Sequence, residues 1–369
     1  MPWSSILTLV LLLGSLANTH IMAHAIECNY PTESWQRRSL DAVGIDEATL
    51  REGEVLIAQE MPFLRSILVV RRGCLVYERY FDGATPETLF NVFSVTKSVT
   101  SALIGIAIEE GIISSVNDPI GQFLPNFIAV DDPKFTITIE HLLKMLSGLG
   151  WNEDRHIGGM LGLDRDEARY ILQLPLDHRP GTWWNYSTAD SHLLSVVLTE
   201  ATETSALEYG MLRLFAPLGI SEMRWTEDAD GYNLGGTQIF WQARDLAKFG
   251  LLYLNEGVWD GQQLIPTDWI SFTTTPQLKN PAIYELSYAA HWWRVHVGEY
   301  PPMFAAVGYG GQYVIVAPEQ EMVIVTTANS YVLPPDSYLS AYDARQHEEA
   351  ILDYVEMYIL PAVRETKGE

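Results

Sequence analysis

Ser94 and Lys97, in the run Phe93-Ser94-Val95-Thr96-Lys97-Ser98, are the residues of this chain best spaced for nucleophilic chemistry. On a helix, a three-residue spacing puts both side chains on one face, a turn apart. A serine hydroxyl at neutral pH is a poor nucleophile without an adjacent base. A lysine serves as that base where burial or neighbouring positive charge lowers its pKa, because lost solvation disfavours the ammonium. The helix N-terminus favours negative charge on the serine oxygen during attack. No other Ser-x-x-Lys occurs in the chain, but serine and lysine at these frequencies give about 0.4 such pairs by chance. Alone, the pattern reads first as an N-cap serine followed by a solvated lysine.

Two further segments carry residues that complete such a site. Trp183-Trp184-Asn185-Tyr186-Ser187-Thr188-Ala189-Asp190 follows an Arg-Pro-Gly-Thr turn and places a phenol just before an apolar helix. A tyrosine beside a lysine can carry protons to a leaving group; alone, Tyr186 reads as a buried aromatic with a bonded hydroxyl. Asn185-Tyr186-Ser187 also has the pattern of a glycosylation acceptor, discounted because it falls at the presumed site. Val307-Gly308-Tyr309-Gly310-Gly311-Gln312-Tyr313 precedes a strand. Its glycines let backbone approach a ligand, and an exposed strand N–H can donate to a developing oxyanion. In isolation it is a glycine-rich turn. Trp151, Trp183 and Trp184 supply aromatic surface near these segments or belong to the core.

The elements that must position these residues read as follows. Residues 46–60 form a helix, and 66–71 and 74–81 form a hairpin reversing at Arg72-Gly73. Residues 94–111 form a helix with Val95, Leu103, Ile106 and Ile108 at helical spacing, stopped by Gly111. From there to about 275 helix and loop alternate. Strands return at 287–297, 303–307, 312–316 and 322–327, with a turn at Pro318-Glu319-Gln320 and a closing helix over 348–360. The expected class is α+β: an antiparallel sheet built from both chain ends and flanked by helices, with a mostly helical lobe inserted. In numbers, an α/β lobe spans 26–92 plus 280–369 and a helical lobe spans 93–279, with the site where they meet.

The chain has 369 residues, 47% of them hydrophobic, and a net charge of −24. Such acidity argues against nucleic-acid binding and against docking on anionic lipid, both of which need basic patches. The first 25 residues contain no Asp, Glu, Lys or Arg; they hold an apolar run at 6–13 and a small-x-small pattern at Ala23-His24-Ala25. They are expected to be a signal peptide cleaved near Ala25, giving a periplasmic or secreted protein, with a retained N-terminal anchor as the alternative. Export would put Cys28 and Cys74 in an oxidising compartment, where a disulfide between them becomes available. No His-Glu-x-x-His helix accompanies His291 and His296, and no Gly-x-Ser-x-Gly is present, so neither a metal nor a serine-histidine site is expected.

In this order and at these separations, the three segments resemble the superfamily of serine β-lactamases, penicillin-binding proteins and related esterases, most nearly its class C-like branch. The resemblance runs from about Leu68 to Val325. It includes Ile139-Glu140-His141-Leu142-Leu143 with Ser147-Gly148-Leu149, Leu214-Phe215-Ala216-Pro217-Leu218-Gly219-Ile220, Asp245-Leu246-Ala247-Lys248-Phe249-Gly250 and Leu264-Ile265-Pro266. It implies Ser94 as the acylated nucleophile, Lys97 as its base and Tyr186 as the tyrosine of the Tyr-x-Asn motif. The backbone N–H groups of Ser94 and Gln312 would form the oxyanion hole, and Tyr309-Gly310-Gly311 takes the place of Lys-Thr-Gly. Tyr309, Gly310, Gly311, Thr188 and Trp184 would meet substrate.

Two residues depart from the family pattern: Thr188 replaces the usual Asn and Tyr309 the usual Lys. A tyrosine at 309 removes a charge-assisted contact to a substrate carboxylate, commonly about 1.5–3 kcal/mol. The expected activity is therefore hydrolysis of an uncharged ester or small amide, with no cofactor. Action on β-lactams or peptidoglycan peptides is the alternative, and a non-catalytic binding module on the same fold is the reading from another class. The oligomeric state is not legible.

Overall fold

Strand β1 (Leu64–Arg71) is apolar on both faces, and the sheet it enters is covered on both sides. The side chains of successive strand residues point to opposite faces, and the two cores of the protein divide on that rule. Leu68 and Val70 join one core, while Ile67 and Val69 join the other. The computed structural model describes residues 27–162, 166–276, 287–331 and 341–364; the leader expected over 1–25 lies outside them.

β1 pairs through a tight hairpin with β2 (Cys74–Tyr80), and Arg72 and Gly73 at the turn have φ of 51° and 78°. Two positive φ values are what a right-twisted two-residue hairpin needs. Five strands come from the C-terminal part: β3 (Ser287–Tyr288), β4 (Trp293–Val295), β5 (Met303–Gly308), β6 (Gln312–Ala317) and β7 (Met322–Ala328). The seven strands run in the order β2-β1-β7-β6-β5-β4-β3, with every neighbouring pair antiparallel. The β1–β7 register sets Leu68 opposite Val325, so the two chain ends meet in mid-sheet.

Helix α1 (Glu47–Glu60), capped by the Asp46 carboxylate on the Thr49 N–H, covers one face together with the C-terminal helix, through Leu50, Ile57, Ile351 and Tyr354. The other face packs on α2 (Val95–Glu109) and α4 (Ala243–Leu254), and α3 (Thr188–Thr202) packs in turn against α2. This is the α+β architecture expected from the order of elements. The middle segment does not stand apart from the sheet: α2, α3 and α4 share one continuous core with Leu68, Val314 and Val325. No helix among the described residues is long and apolar enough to cross a membrane.

Three local readings differ from the structure. Residues 287–297, read as one strand, are the short pair β3 and β4, reversing at 289–292 where His291 adopts φ 67°. The reversal is pinned by Ala289 N–H donating to Trp292 O and by Ser98 Oγ donating to His291 O. The closing helix starts earlier, at Ala341, as α5 (Ala341–Tyr354), and its last turn widens over Val355–Ile359. Helix α2 is not amphipathic but buried from Val95 to Ala107, as befits a helix enclosed on all sides. Its polar side chains find internal partners: Thr100 Oγ1 donates to Gly235 O and Ser101 Oγ to Ala290 O.

Candidate active site

Ser94 stands at the N-terminal end of α2 and makes no side-chain capping bond, so its hydroxyl is not consumed by the helix. The residue before it, Phe93, has φ 47°, a conformation that strains a side chain larger than glycine. A small sheet holds this bend in place. Phe90 pairs with Trp241, Val92 N–H donates to Ile239 O, and Asn91 Oδ1 accepts from Phe93 N–H.

One helical turn on, Lys97 is only 2% exposed. Its Nζ donates to Ser94 Oγ at 3.0 Å, to Thr188 Oγ1 at 2.9 Å and to the Gly236 carbonyl at 2.8 Å. The Gly236 approach leaves no room for a side chain, since a Cβ there would fall 2.7 Å from Thr188 Cγ2. Burial pulls the Lys97 ammonium down to about 8, with the Glu153 carboxylate acting in the opposite direction. Ser94 therefore makes no side-chain cap and Lys97 is not solvated.

Tyr186 lies over this pair, its ring centroid 5.0 Å from Lys97 Nζ. Burial pushes its phenol well above the ordinary value and the Glu153 charge adds to the effect, while a hydrogen bond with Ser94 opposes it. Its ring stacks at 6.0 Å on Trp293 and meets buried Tyr288 edge-on at 6.3 Å. The loop carrying it is fixed from behind. Ser187 Oγ caps α3 by accepting Asp190 N–H, and Ser187 and Ser147 both donate to Asp190 Oδ1. The Asn185 amide donates to Trp151 O, so the sequon asparagine is engaged in holding the loop.

The 309–312 turn closes the site from the sheet side. Gly310 and Gly311 have φ of 74° and 107°, values that only glycine accepts without strain. Tyr309, 42% exposed, meets the Phe93 ring edge-on at 5.8 Å, which brings the turn beside Ser94. The Gln312 side chain turns away and pairs with Ala328, donating to its carbonyl at 2.9 Å and accepting from its N–H at 3.0 Å. Gly310 N–H donates to Glu348 Oε1 at 3.1 Å, and burial pushes that carboxyl up to about 7.

The remaining expected contacts are placed less directly. Thr188, expected to meet substrate, is 1% exposed, with its hydroxyl engaged by Lys97 and Glu153. Trp184 packs edge-on against Tyr288 at 5.7 Å, one ring removed from Tyr186. Trp183 is 57% exposed and stacks on His178, while Trp151 is buried with its indole N–H donated to Glu153. Glu153 and Gly236 were not singled out from sequence, since neither belongs to a spaced pattern with Ser94. Among the described residues, no three His, Cys, Asp or Glu side chains converge as a metal ligand set.

A family model described as Beta-lactamase matches residues 65–348. The 6-aminohexanoate-dimer hydrolase of Paenarthrobacter ureafaciens is 24% identical over 286 residues, covering 70% of this chain and 71% of that protein. A putative 6-aminohexanoate-dimer hydrolase from Bacillus anthracis superposes with a TM-score of 0.69 at 22% identity, covering 89% of this chain and 90% of that one. A putative beta-lactamase from Bacteroides dorei gives a TM-score of 0.68 at 19% identity, over 84% of this chain and 99% of that one.

Proposed function

Because the chain belongs to the Beta-lactamase family of serine hydrolases, we propose that it hydrolyses an uncharged ester or small amide through an acyl-enzyme on Ser94. The observation that carries this reading is the uncapped Ser94 hydroxyl 3.0 Å from the buried Lys97 Nζ.

Lys97, once neutral, takes the Ser94 proton as Oγ attacks the substrate carbonyl. The base is Lys97 and not Tyr186, since burial holds the phenol protonated while it weakens the ammonium. Tyr186, above both groups, gives its phenol proton to the leaving oxygen or nitrogen and regains one from Lys97, which carries the proton taken from Ser94. The backbone N–H groups of Ser94 and Gln312 receive the oxyanion. Water then repeats the sequence on the acyl group and frees Ser94.

The substrate class follows from the charges. Tyr309 stands where a carboxylate-binding lysine is usual in the family. A tyrosine there offers no charge to hold a substrate carboxylate. A relative named for the 6-aminohexanoate dimer keeps small amides within the class. The Cys28–Cys74 disulfide is of the kind formed in oxidising compartments, which supports export after removal of the leader.

The test is labelling with a fluorophosphonate, mass spectrometry of the modified peptide, and p-nitrophenyl ester hydrolysis by wild type and Ser94→Ala. An adduct on Ser94 and loss of turnover in the variant are expected; equal turnover in both would sink the reading. Labelling by a fluorescent penicillin, abolished in Ser94→Ala, would move the substrate class to β-lactams.

A further inference from the structure

Lys97 has all three protons placed, one of them on Ser94 itself. An ammonium in that position donates to the nucleophile and cannot accept its proton. Something must take a proton from Lys97 before it acts, and a side chain 2% exposed presents little of its surface to solvent for that purpose.

The route lies behind the lysine. Thr188 Oγ1 accepts from Lys97 Nζ, and its own proton is donated to Glu153 Oε1. A hydroxyl has one proton to give, so the two bonds form a chain with one direction, Lys97 to Thr188 to Glu153. The carboxylate is aimed at its post. Its Oε2 accepts the Thr188 backbone N–H at 3.0 Å and the Trp151 indole N–H at 2.6 Å. Asn152 caps the helix Glu153–Met160 by accepting Arg155 N–H, and Asn185 holds the Trp151 carbonyl.

We propose that Glu153 is the positioning residue that sets the protonation of Lys97 and stores its proton through Thr188 during each acyl transfer. The inference rests on the serine-hydrolase reading above. As substrate enters, one Lys97 proton moves to Thr188 Oγ1 while the Thr188 proton moves to Glu153, leaving a neutral amine and a neutral carboxyl. The amine turns about its Cε–Nζ bond and its lone pair takes the Ser94 proton as the Oγ–carbonyl bond forms. The reverse transfer returns the stored proton, so no proton is gained or lost over the cycle. The departure at 188 acquires a chemical meaning: a hydroxyl accepts and donates through one atom, whereas an asparagine amide at that position would end the chain. The other titratable groups around the pair are Tyr186, Asp190, Tyr288 and His291.

The experiment follows the pH dependence of fluorophosphonate labelling and ester turnover in wild type, Glu153→Gln, Thr188→Val and Thr188→Ser, with thermal melts of each. Glutamine keeps an acceptor for the two N–H groups but turns a donor toward Thr188, reversing the bond the relay needs. Glu153→Gln is expected to lose at least about tenfold in plateau rate. Its acidic limb should move to lower pH, because the charge that opposes Lys97 deprotonation is gone. Thr188→Val should lose as much without that downward movement, and Thr188→Ser should restore most of the loss. A merely structural role would lower the melting temperature and leave the limb in place. If wild type labels on Ser94 while Glu153→Gln and Thr188→Val keep its rate and its limb, the relay is overturned alone. If wild type does not label at all, the serine-hydrolase reading falls and the relay with it.

Discussion

The Nζ of Lys97 lies 3.0 Å from the Oγ of Ser94, and its two other protons are held by Thr188 Oγ1 and the Gly236 carbonyl. The geometry is that of a resting pair in which the lysine is still charged. Burial brings that charge within reach of release at a mildly alkaline pH, near 8. Ester turnover is therefore expected to rise with pH and to level off above about 8, falling below that only as far as the rate the Thr188–Glu153 relay sustains. Tyr186 adds no second inflection below 10, since burial raises its phenol. A wild-type pH–rate profile of kcat/KM checks both points; a flat profile from pH 6 to 9 would mean that the proton leaves Lys97 within the site and not to solvent.

Two carboxyls, Asp190 buried and Glu348 half-buried, tie stability to pH in the opposite direction. Asp190 and Glu348 are raised by burial to about 7, from 3.8 and 4.5. A folded-state pKa above the unfolded one means that the folded chain binds the extra proton. Their stabilising contribution is complete below about pH 4 and is lost as pH rises through 7. Asp190→Asn keeps the acceptor used by Ser147 and Ser187 and removes the charge, so its melting temperature should vary less between pH 5 and 8 than that of wild type. The two curves, measured by calorimetry in matched buffers, should converge at the acid end; parallel curves would refute the assignment.

The disulfide between Cys28 and Cys74 closes a separation of 46 residues and pins the start of the described chain to β2. Closing a loop of this size stabilises by about 2–4 kcal/mol, chiefly through the unfolded state. The bridge is remote from Ser94 in the fold, at the opposite edge of the sheet from β3 and β4. Cys28→Ser/Cys74→Ser is thus expected to lower the urea midpoint by the equivalent of that energy and to leave Ser94 labelling intact at 25 °C. Loss of labelling in a variant that remains folded would place the N-terminal segment in the site.

The parts of the site that sequence made legible are those set by local spacing. Ser94 and Lys97 share a helix face, Tyr186 directly precedes the α3 cap, and Gly310-Gly311 fall where φ must be positive. The strands were legible where burial alternates or is continuous over six or more residues, as in β1 and β7. What was lost depends on tertiary contact. Glu153 reaches Thr188 across 35 residues and the Gly236 carbonyl reaches Lys97 across 139. Neither has a signature in its own neighbourhood. The β3–β4 reversal was hidden because Ala289, Ala290 and Trp292 are apolar and buried, without turn residues; its conformation comes from the Ser98 hydroxyl of α2 donating to His291 O and from the Leu143 carbonyl accepting from His291 Nδ1. The φ of 47° at Phe93 was hidden as well, since the pairing of Phe90 with Trp241 and of Val92 N–H with Ile239 O that frames the bend is tertiary.

Tyr309 marks the point at which substrate preference can be moved. Its ring edge faces Phe93, one residue before the nucleophile, and 42% of its surface is open to solvent. Its carbonyl is held by Ser330 Oγ at 2.9 Å, so a side-chain change there leaves the turn anchored. Tyr309→Lys would set an ammonium at the mouth of the site. A charge-assisted contact to a substrate carboxylate is worth about 1.5–3 kcal/mol, and solvent at this exposed position reduces it to about 1 kcal/mol, roughly a fivefold preference. The measurement is the ratio of kcat/KM for a carboxylate-bearing ester to that for its methyl-ester analogue, in wild type and Tyr309→Lys. The ratio should rise about fivefold in the variant and fall back toward the wild-type value in high salt, as exposed charges are screened. An unchanged ratio would mean that position 309 does not meet the part of the substrate beside the scissile bond.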